Sequence, residues 1–210
     1  MVMTFSLGTT SSNFMLSSMF LKRHFLLGVF FLSLVFGANV GEAAEFSLDP
    51  NYSTVGFRIR HLMGFAVGSF TKFDGMIQLN QDNTVLVSLE GTIDAQKIDT
   101  RLPERDNDLR SARFFDVEKY PVITFRSTKI EPDKITGTLT MHGVTKEIVF
   151  DYVFLGLAKD QKGNTKTAVS MYGKVNRKDF GMDYNMKTES DTWLLGDEVE
   201  FKLELHGTMK

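Results

Sequence analysis

The sequence predicts an all-β protein of eight antiparallel strands, with one short helix in a long connection. Three observations predict this class. Apolar residues recur at every second position from Val55 onward, turn-forming residues separate these runs, and a single charged segment interrupts the pattern. A period of two is typical of strands that bury one face. Connections of hairpin length favour antiparallel neighbours.

Each predicted strand is a run of alternating apolar or glycine positions. Turn signals separate the runs, among them "NQDN" at 80–83, "EPDK" at 131–134 and "KDQKGN" at 159–164. Eight such strands can close a barrel that is filled by side chains or holds one small ligand, although two packed sheets would show the same alternation. In chain order the runs are Val55, Phe57, Ile59; Val67 to Gly75, Ile77, Leu79; Val85, Val87, Leu89, Gly91, Ile93; Ile123, Phe125; Ile135, Gly137, Leu139, Met141; Ile148, Phe150, Tyr152, Phe154; Val169, Met171, Gly173, Val175; and Val199, Phe201, Leu203, Leu205.

The interruption is the segment "RDNDLRSARFFDVEKYPVITF" at 105–125. It predicts a helix over 102–112, because proline is tolerated in a first turn and Glu104 would lie near the positive end of the helix dipole. We expect this helix to cross one mouth of the barrel. Phe114 and Phe115 would then turn into the interior, and Pro121 would begin the next strand, where no ladder donor is needed.

A second irregular segment, 181–198, carries Trp193, the only tryptophan of the chain. Connections of this length in compact domains are often lids over a site. The alternative is that Trp193 and Leu194 simply cap one end of the barrel.

The first 43 residues have the layout of a secretory signal peptide. Lys22 and Arg23 precede an apolar run over 25–38, and small residues follow at Gly41 and Ala43. We therefore expect a signal peptide over 1–43, with Met19 as an alternative start, and a single domain over 44–210 in the periplasm. With no cysteine in the chain, disulfides and thiol chemistry are excluded.

Motifs for catalysis or metal binding are not evident. The histidines of the predicted domain, His61, His142 and His206, are far apart and show no metal-ligand spacing, and no G-x-S-x-G motif is present. We expect no catalysis, no metal and no cofactor. The alternative enzyme hypothesis is a lipid-modifying hydrolase that uses a carboxylate such as Asp106. A net charge of −2 argues against nucleic acid as a partner.

Several motifs, in order along the whole predicted domain, resemble the YceI-like family of exported polyisoprenoid-binding proteins. They are "SLDPNYSTVGFRIRHLMG", "VGSFTKFDG", "RDNDLRSARFFDVEKYPVITFRST", "GTLTMHGVTKEIVF", "NRKDFGM" and "LGDEVEFKLEL". The resemblance implies a lipocalin-like eight-stranded barrel around an elongated apolar pocket. The ligand would be an isoprenoid quinone, its precursor or a polyprenyl phosphate.

Two groups of residues are predicted to contact this lipid. Arg60, His61, Arg105 and Asp106 are the candidates for its head group, although they could equally form structural ion pairs and hydrogen bonds. The candidates for the apolar wall are Phe57, Phe70, Phe73, Leu109, Phe114, Phe115, Phe125, Leu139, Phe150, Phe180 and Phe201.

The function predicted from these features is that of a periplasmic, non-catalytic carrier that sequesters a polyisoprenoid lipid. The alternative is a barrel filled by its own side chains, which would act as a stress-related interaction protein without a lipid. Two further partners are left open by the sequence, namely a membrane touched during lipid exchange and a second copy of the chain.

Overall fold

A computed structural model of the protein describes residues 43–210, which form eleven strands and one α-helix. Apart from residue 43, the predicted signal peptide lies outside the described residues. No helix in the described range has the length and apolar character to cross a membrane. The elements are β1 (Ala44–Leu48), β2 (Thr54–His61), β3 (Gly64–Phe70), β4 (Phe73–Leu79), β5 (Leu86–Asp94), β6 (Ile98–Asp99), α1 (Pro103–Arg110), β7 (Val122–Ile130), β8 (Lys134–Met141), β9 (Val144–Lys159), β10 (Thr165–Asn176) and β11 (Leu195–Met209).

Eight of these strands close an antiparallel barrel, which confirms the predicted fold class. The ring runs β1-β4-β5-β7-β8-β9-β10-β11, and β11 pairs back with β1 through Phe46 opposite Met209 and Leu48 opposite Gly207. Closure leaves these strands without a long free edge and decides for a barrel over a pair of sheets.

The last strand carries two partners along one edge, and this positions the site. The C-terminal part of β11 pairs with β1, whereas its earlier part, from Leu195 to Glu204, pairs with β2. The wall then continues through β3 to β6. This three-stranded extension stands beside α1, which follows β6 in the chain.

The number of barrel strands was predicted correctly, but the first predicted strand, β2, lies outside the ring, and three further strand assignments were wrong. The prediction began its strands at Val55 and missed β1, although Ala44, Phe46 and Leu48 alternate with polar residues there, because a run of five residues is a weak signal. The run predicted from Val67 to Leu79 is two strands, β3 and β4, interrupted at Thr71 and Lys72 and paired with different neighbours. The missed signal was the pair of successive polar residues, Thr71 and Lys72, which breaks the alternation between Phe70 and Phe73.

The third correction concerns β5, whose predicted inward positions are shifted. Val85 and Val87 are exposed, whereas Leu86 and Leu89 are buried. The pairing of β4 with β5 changes register where Leu79 lies opposite Leu86. An irregularity of this kind breaks strict alternation, so the period of two reverses within the strand.

Helix α1 lies inside the predicted range 102–112. Pro103 is in its first turn together with Glu104 and Asp106, as the dipole argument predicts. Its buried residue is Asp106, while Leu102 remains exposed. The helix is therefore held by a buried carboxylate more than by an apolar stripe.

Candidate functional site

The barrel encloses an elongated cavity with two lobes. The main lobe, of about 290 Å³, lies beneath α1 and beside β2 and β3, and the deep lobe, of about 80 Å³, lies in the centre of the barrel. Phe70, Met141 and Phe201 line both lobes, so the lobes adjoin at these three side chains. The main lobe is at the small end of the range for ligand pockets.

In the wall of the deep lobe, two aromatic rings pack directly against the backbone of glycine residues. A Cβ atom at Gly137 would overlap the Phe125 ring, and one at Gly173 would overlap the Phe150 ring. The two rings meet edge to face with centroids 5.6 Å apart. Because each ring lies against bare backbone, it leaves space along the barrel axis that a second side chain would fill.

The main lobe is closed by the segment that follows α1. Phe114 and Phe115 both line it, which is the position predicted from the sequence, and Phe115 packs edge to face on Phe70 with centroids 5.8 Å apart. Phe114 makes the same kind of contact with Tyr184, at 5.4 Å. Tyr184 belongs to the irregular segment 181–194, which therefore forms one wall of the cavity.

The predicted wall residues all line the cavity except Phe180. Phe57, Leu109, Phe114 and Phe115 lie in the main lobe, Phe70 and Phe201 in both, and Phe73, Phe125, Leu139 and Phe150 in the deep lobe. Phe180 is fully buried in the core away from these walls, and its backbone carbonyl accepts a hydrogen bond of 2.8 Å from the His142 ring. Direct contact of the ten lining residues with a ligand stays a prediction.

The four head-group candidates separate into two pairs. His61 and Arg105 line the main lobe, whereas Arg60 and Asp106 do not. Arg60 extends along the outer surface and donates to the Leu62 carbonyl at 3.0 Å. Its strand alternation sends it outward, because the neighbouring residue His61 faces inward.

Asp106 is a structural residue that fixes the entry into α1. Its carboxylate accepts hydrogen bonds from the backbone N–H of Thr100 at 2.8 Å and from the Thr100 hydroxyl at 2.5 Å. Arg105 completes the clamp by donating to the same hydroxyl at 2.8 Å and to the Thr100 carbonyl at 2.9 Å. Since Asp106 does not line the cavity, it is not placed to act as a hydrolase carboxylate on a bound lipid.

We expect Asp106→Ala to destabilise the fold by about 2 kcal/mol, because it leaves a buried N–H and a buried hydroxyl without their acceptor. Urea unfolding followed by circular dichroism would measure the change. Glu104→Ala, an exposed acid in the same helical turn, is the matched control and should change stability by less than about 0.5 kcal/mol. Equal stability of the two variants would contradict the structural role of Asp106.

Two arginines that the sequence analysis did not select as head-group residues lie at the same end of the cavity. Arg113 lines the main lobe, is ion-paired with Asp108, and stacks over the Tyr184 ring at 4.9 Å from its centroid. Arg177 also lines the main lobe. Together with Arg105 they outnumber Asp108, the acid that lines this lobe. The end of the cavity near α1 is therefore rich in arginine, with Arg113 paired to Asp108 and Arg177 paired to Asp197.

Arg177 is buried, with 3% of its surface exposed. Its guanidinium donates to the Gly196 carbonyl at 3.0 Å, to the Tyr184 carbonyl at 2.8 Å and also to the Met182 carbonyl, and it pairs with Asp197 at 3.2 Å. Burial lowers the pKa of Arg177 from its ordinary value, while the nearby Asp197 opposes that shift. The sequence shows Arg177 only as an arginine directly after a strand. That position is too common to predict that Arg177 is buried and lines the cavity.

Within residues 43–210, no group of three histidine or acidic side chains lies close enough to hold a metal ion.

Comparisons with known proteins give the same architecture. Protein YceI of Escherichia coli O157:H7 is 35% identical over 192 residues, which cover 88% of this chain and 97% of that protein. The crystal structure of the Campylobacter jejuni YceI protein is 32% identical with a TM-score of 0.58, over 68% of this chain and 84% of that one.

A more distant structure shares the fold alone. It is a polyisoprenoid binding domain from Saccharophagus degradans, which is 15% identical with a TM-score of 0.57 and covers 80% of this chain and all of that one (100%). The model of the YceI-like domain matches residues 46–207, which is nearly the whole barrel. The chain therefore belongs to the YceI-like family.

Proposed function

We propose that the protein is an exported, periplasmic carrier that sequesters one polyisoprenoid lipid in its barrel and catalyses no reaction. The observation that carries the proposal is the pair of adjoining lobes, whose walls are mostly apolar and whose end near α1 is lined by three arginines. An isoprenoid chain has a matching form, because it is long, apolar and carries its polar group at one terminus. Burial of its methylene groups would supply the affinity, at about 0.8 kcal/mol each.

The head group would lie in the main lobe near Arg105 and Arg113. Arginine presents a planar set of donors that suits a phosphate, and Arg105 already holds a fixed orientation through Thr100. The tail would extend past Phe70, Phe201 and Met141 into the deep lobe. Ordering the chain opposes binding, so the net affinity is well below the sum of its buried groups.

Family membership supports the same proposal. The related fold from Saccharophagus degradans is described as a polyisoprenoid binding domain. The deep lobe is bordered by Asp74, Glu90 and Thr92, whereas the polar residues that line the main lobe are three arginines, Asp108, His61, Thr100 and Tyr184. This set suits recognition of an anionic head group.

The experiment is to purify the protein from its native host without detergent, extract it with organic solvent and analyse the extract by mass spectrometry. We expect an isoprenoid of narrow chain-length distribution in stoichiometric amount. A polyprenyl phosphate should bind more tightly than the polyprenol of equal length, and salt should reduce that difference. A folded protein that is empty and refuses added quinones and polyprenyl phosphates would instead support the barrel filled by its own side chains.

We expect Phe115→Trp to weaken lipid retention about tenfold, since the larger ring enters the main lobe and overpacking costs about 1–3 kcal/mol. Retention would be measured by mass spectrometry after dilution. The control is Tyr172→Trp, on the exposed outer face of β10. Unchanged retention in a folded Phe115→Trp protein would contradict the assignment of Phe115 to the ligand wall.

A further inference from the structure

A group of exposed apolar side chains surrounds one side of the cavity mouth. We call it the apolar rim and define it as Leu62, Met63 and Phe65 at the β2–β3 hairpin together with Met186 and Trp193 in the segment 181–194. Met63 is fully exposed, Phe65 is 56% exposed, and Met186 and Trp193 are each 52% exposed. Such a concentration of large apolar side chains on a protein surface is typical of an interaction site.

Backbone hydrogen bonds join the two halves of the rim. The N–H of Leu62 donates to the Leu194 carbonyl at 2.9 Å, and the N–H of Leu194 donates to the Met186 carbonyl at 2.8 Å. Met186, Leu194 and His61 also line the main lobe. The rim is thus continuous with the interior of the cavity.

The fold does not require apolar residues at this turn. Leu62 has φ 52°, a left-handed conformation that disfavours leucine and favours asparagine or glycine. The β8–β9 hairpin makes its turn with His142 at φ 51° and Gly143 at φ 74°, which follows the usual preference for glycine. Leucine at position 62 therefore lowers the stability of the turn, and such strain is concentrated at functional sites.

Cations accompany the aromatic residues of the rim. The Arg58 guanidinium lies 4.7 Å from the centre of the Phe65 ring, and the Lys187 ammonium lies 5.0 Å from the Trp193 ring. Each of these cations has one carboxylate partner, Glu200 for Arg58 and Asp191 for Lys187.

Arg60 adds a positive charge that has no carboxylate partner among the ion pairs of residues 43–210. It is exposed and reaches the Leu62 carbonyl at the hairpin tip. Tryptophan, other apolar side chains and basic side chains with long stems are the combination found where proteins meet the lipid–water interface. The unpaired guanidinium is complementary to anionic phospholipid head groups.

We propose that the apolar rim docks on the surface of a bilayer that contains anionic phospholipid, with the cavity mouth facing the acyl chains. This rests on the proposed function, because the cargo is a lipid that resides in membranes. Docking would let an isoprenoid slide between bilayer and cavity without passing through water. Arg58, Arg60 and Lys187 would lie at the level of the phosphates, and Met63 and Trp193 would enter the interface.

The tryptophan of the rim makes the proposal directly testable, because Trp193 is the only one in the chain. The purified protein would be mixed with phosphatidylcholine vesicles, with or without phosphatidylglycerol, and its emission recorded. We expect a blue shift on vesicle binding, quenching by brominated acyl chains, and a stronger response with phosphatidylglycerol that salt reduces. Absence of both blue shift and quenching would overturn the proposal.

A double variant separates docking from folding. In Leu62→Asn with Met63→Ser, position 62 receives a residue that suits its left-handed φ, and position 63 receives a polar residue at a fully exposed site. The unfolding midpoint should therefore be equal or higher, while vesicle quenching of Trp193 falls at least about tenfold. The control is Leu155→Ser with Leu157→Ser, which removes exposed apolar groups from β9 that do not line the cavity. Full quenching in the first variant, or equal loss in both, would overturn the role of the rim.

Failure of the rim and failure of the carrier function give different results. Bound isoprenoid in a protein that ignores vesicles would overturn docking and leave the carrier proposal intact. Vesicle docking by a protein that neither carries nor accepts an isoprenoid would support the rim and overturn the carrier proposal.

Discussion

Arg177→Lys is expected to destabilise the protein by about 3 kcal/mol although the substitution keeps the positive charge. Arg177 is only 3% exposed, and its guanidinium donates hydrogen bonds to three backbone carbonyls and to the Asp197 carboxylate. A lysine ammonium is a single point of donation and does not reproduce that planar set of bonds. Buried carbonyl acceptors left without a donor, together with a weakened ion pair to the partly exposed Asp197, cost several kcal/mol.

The measurement is urea unfolding of Arg177→Lys beside Lys178→Met. Lys178 pairs with the same Asp197 at 2.9 Å, but it is 44% exposed, so its loss should cost less than about 1 kcal/mol. We also expect Arg177→Lys to loosen the segment 181–194, seen as faster amide exchange there, because its carbonyls at 182 and 184 lose their donor. Equal stability of the two variants would show that the charge alone matters at position 177.

Gly91→Val is expected to weaken binding of a long isoprenoid roughly thirtyfold while a shorter one binds as before. Gly91 lines the deep lobe, and a Cβ there meets only the Asp74 carbonyl oxygen, at 3.2 Å, so a small local shift accommodates it. The valine side chain would occupy the space of two or three methylene groups, worth about 2 kcal/mol of burial. The size of the deep lobe would then determine the longest isoprenoid chain that the protein binds tightly.

Competition between isoprenoids of increasing length would measure this effect. The control is Thr128→Val, which places the same side chain at an exposed position of β7 that lines neither lobe. If Gly91→Val lowered affinity equally for short and long chains, the tail would not reach the deep lobe. If it left both unchanged, the ligand would lie elsewhere.

The all-β class and the position of the helix were predicted from local patterns alone. Alternation of apolar residues indicates strands wherever one face is buried, and Pro103 with the acids after it indicates a helix start; neither needs knowledge of distant residues. Phe114 and Phe115 were also placed correctly, because two adjacent aromatic residues after a charged helix have to be buried somewhere. Each of these predictions depends on residues that are close together in the sequence, so it needs no information about distant parts of the chain.

The pairing of strands and the arginine-rich end of the cavity were decided only by the tertiary structure. Alternation does not show that β1 closes the ring, that Val67 to Leu79 divides between two neighbours, or that a register change turns Val85 and Val87 outward. These depend on which distant edges meet. Arg177 is likewise one of 24 basic residues, and its burial arises from carbonyls up to 19 positions away. Local sequence therefore determined the elements, and long-range contacts determined the cavity they enclose, because hydrogen-bond partners far apart in the chain are chosen only when the barrel closes.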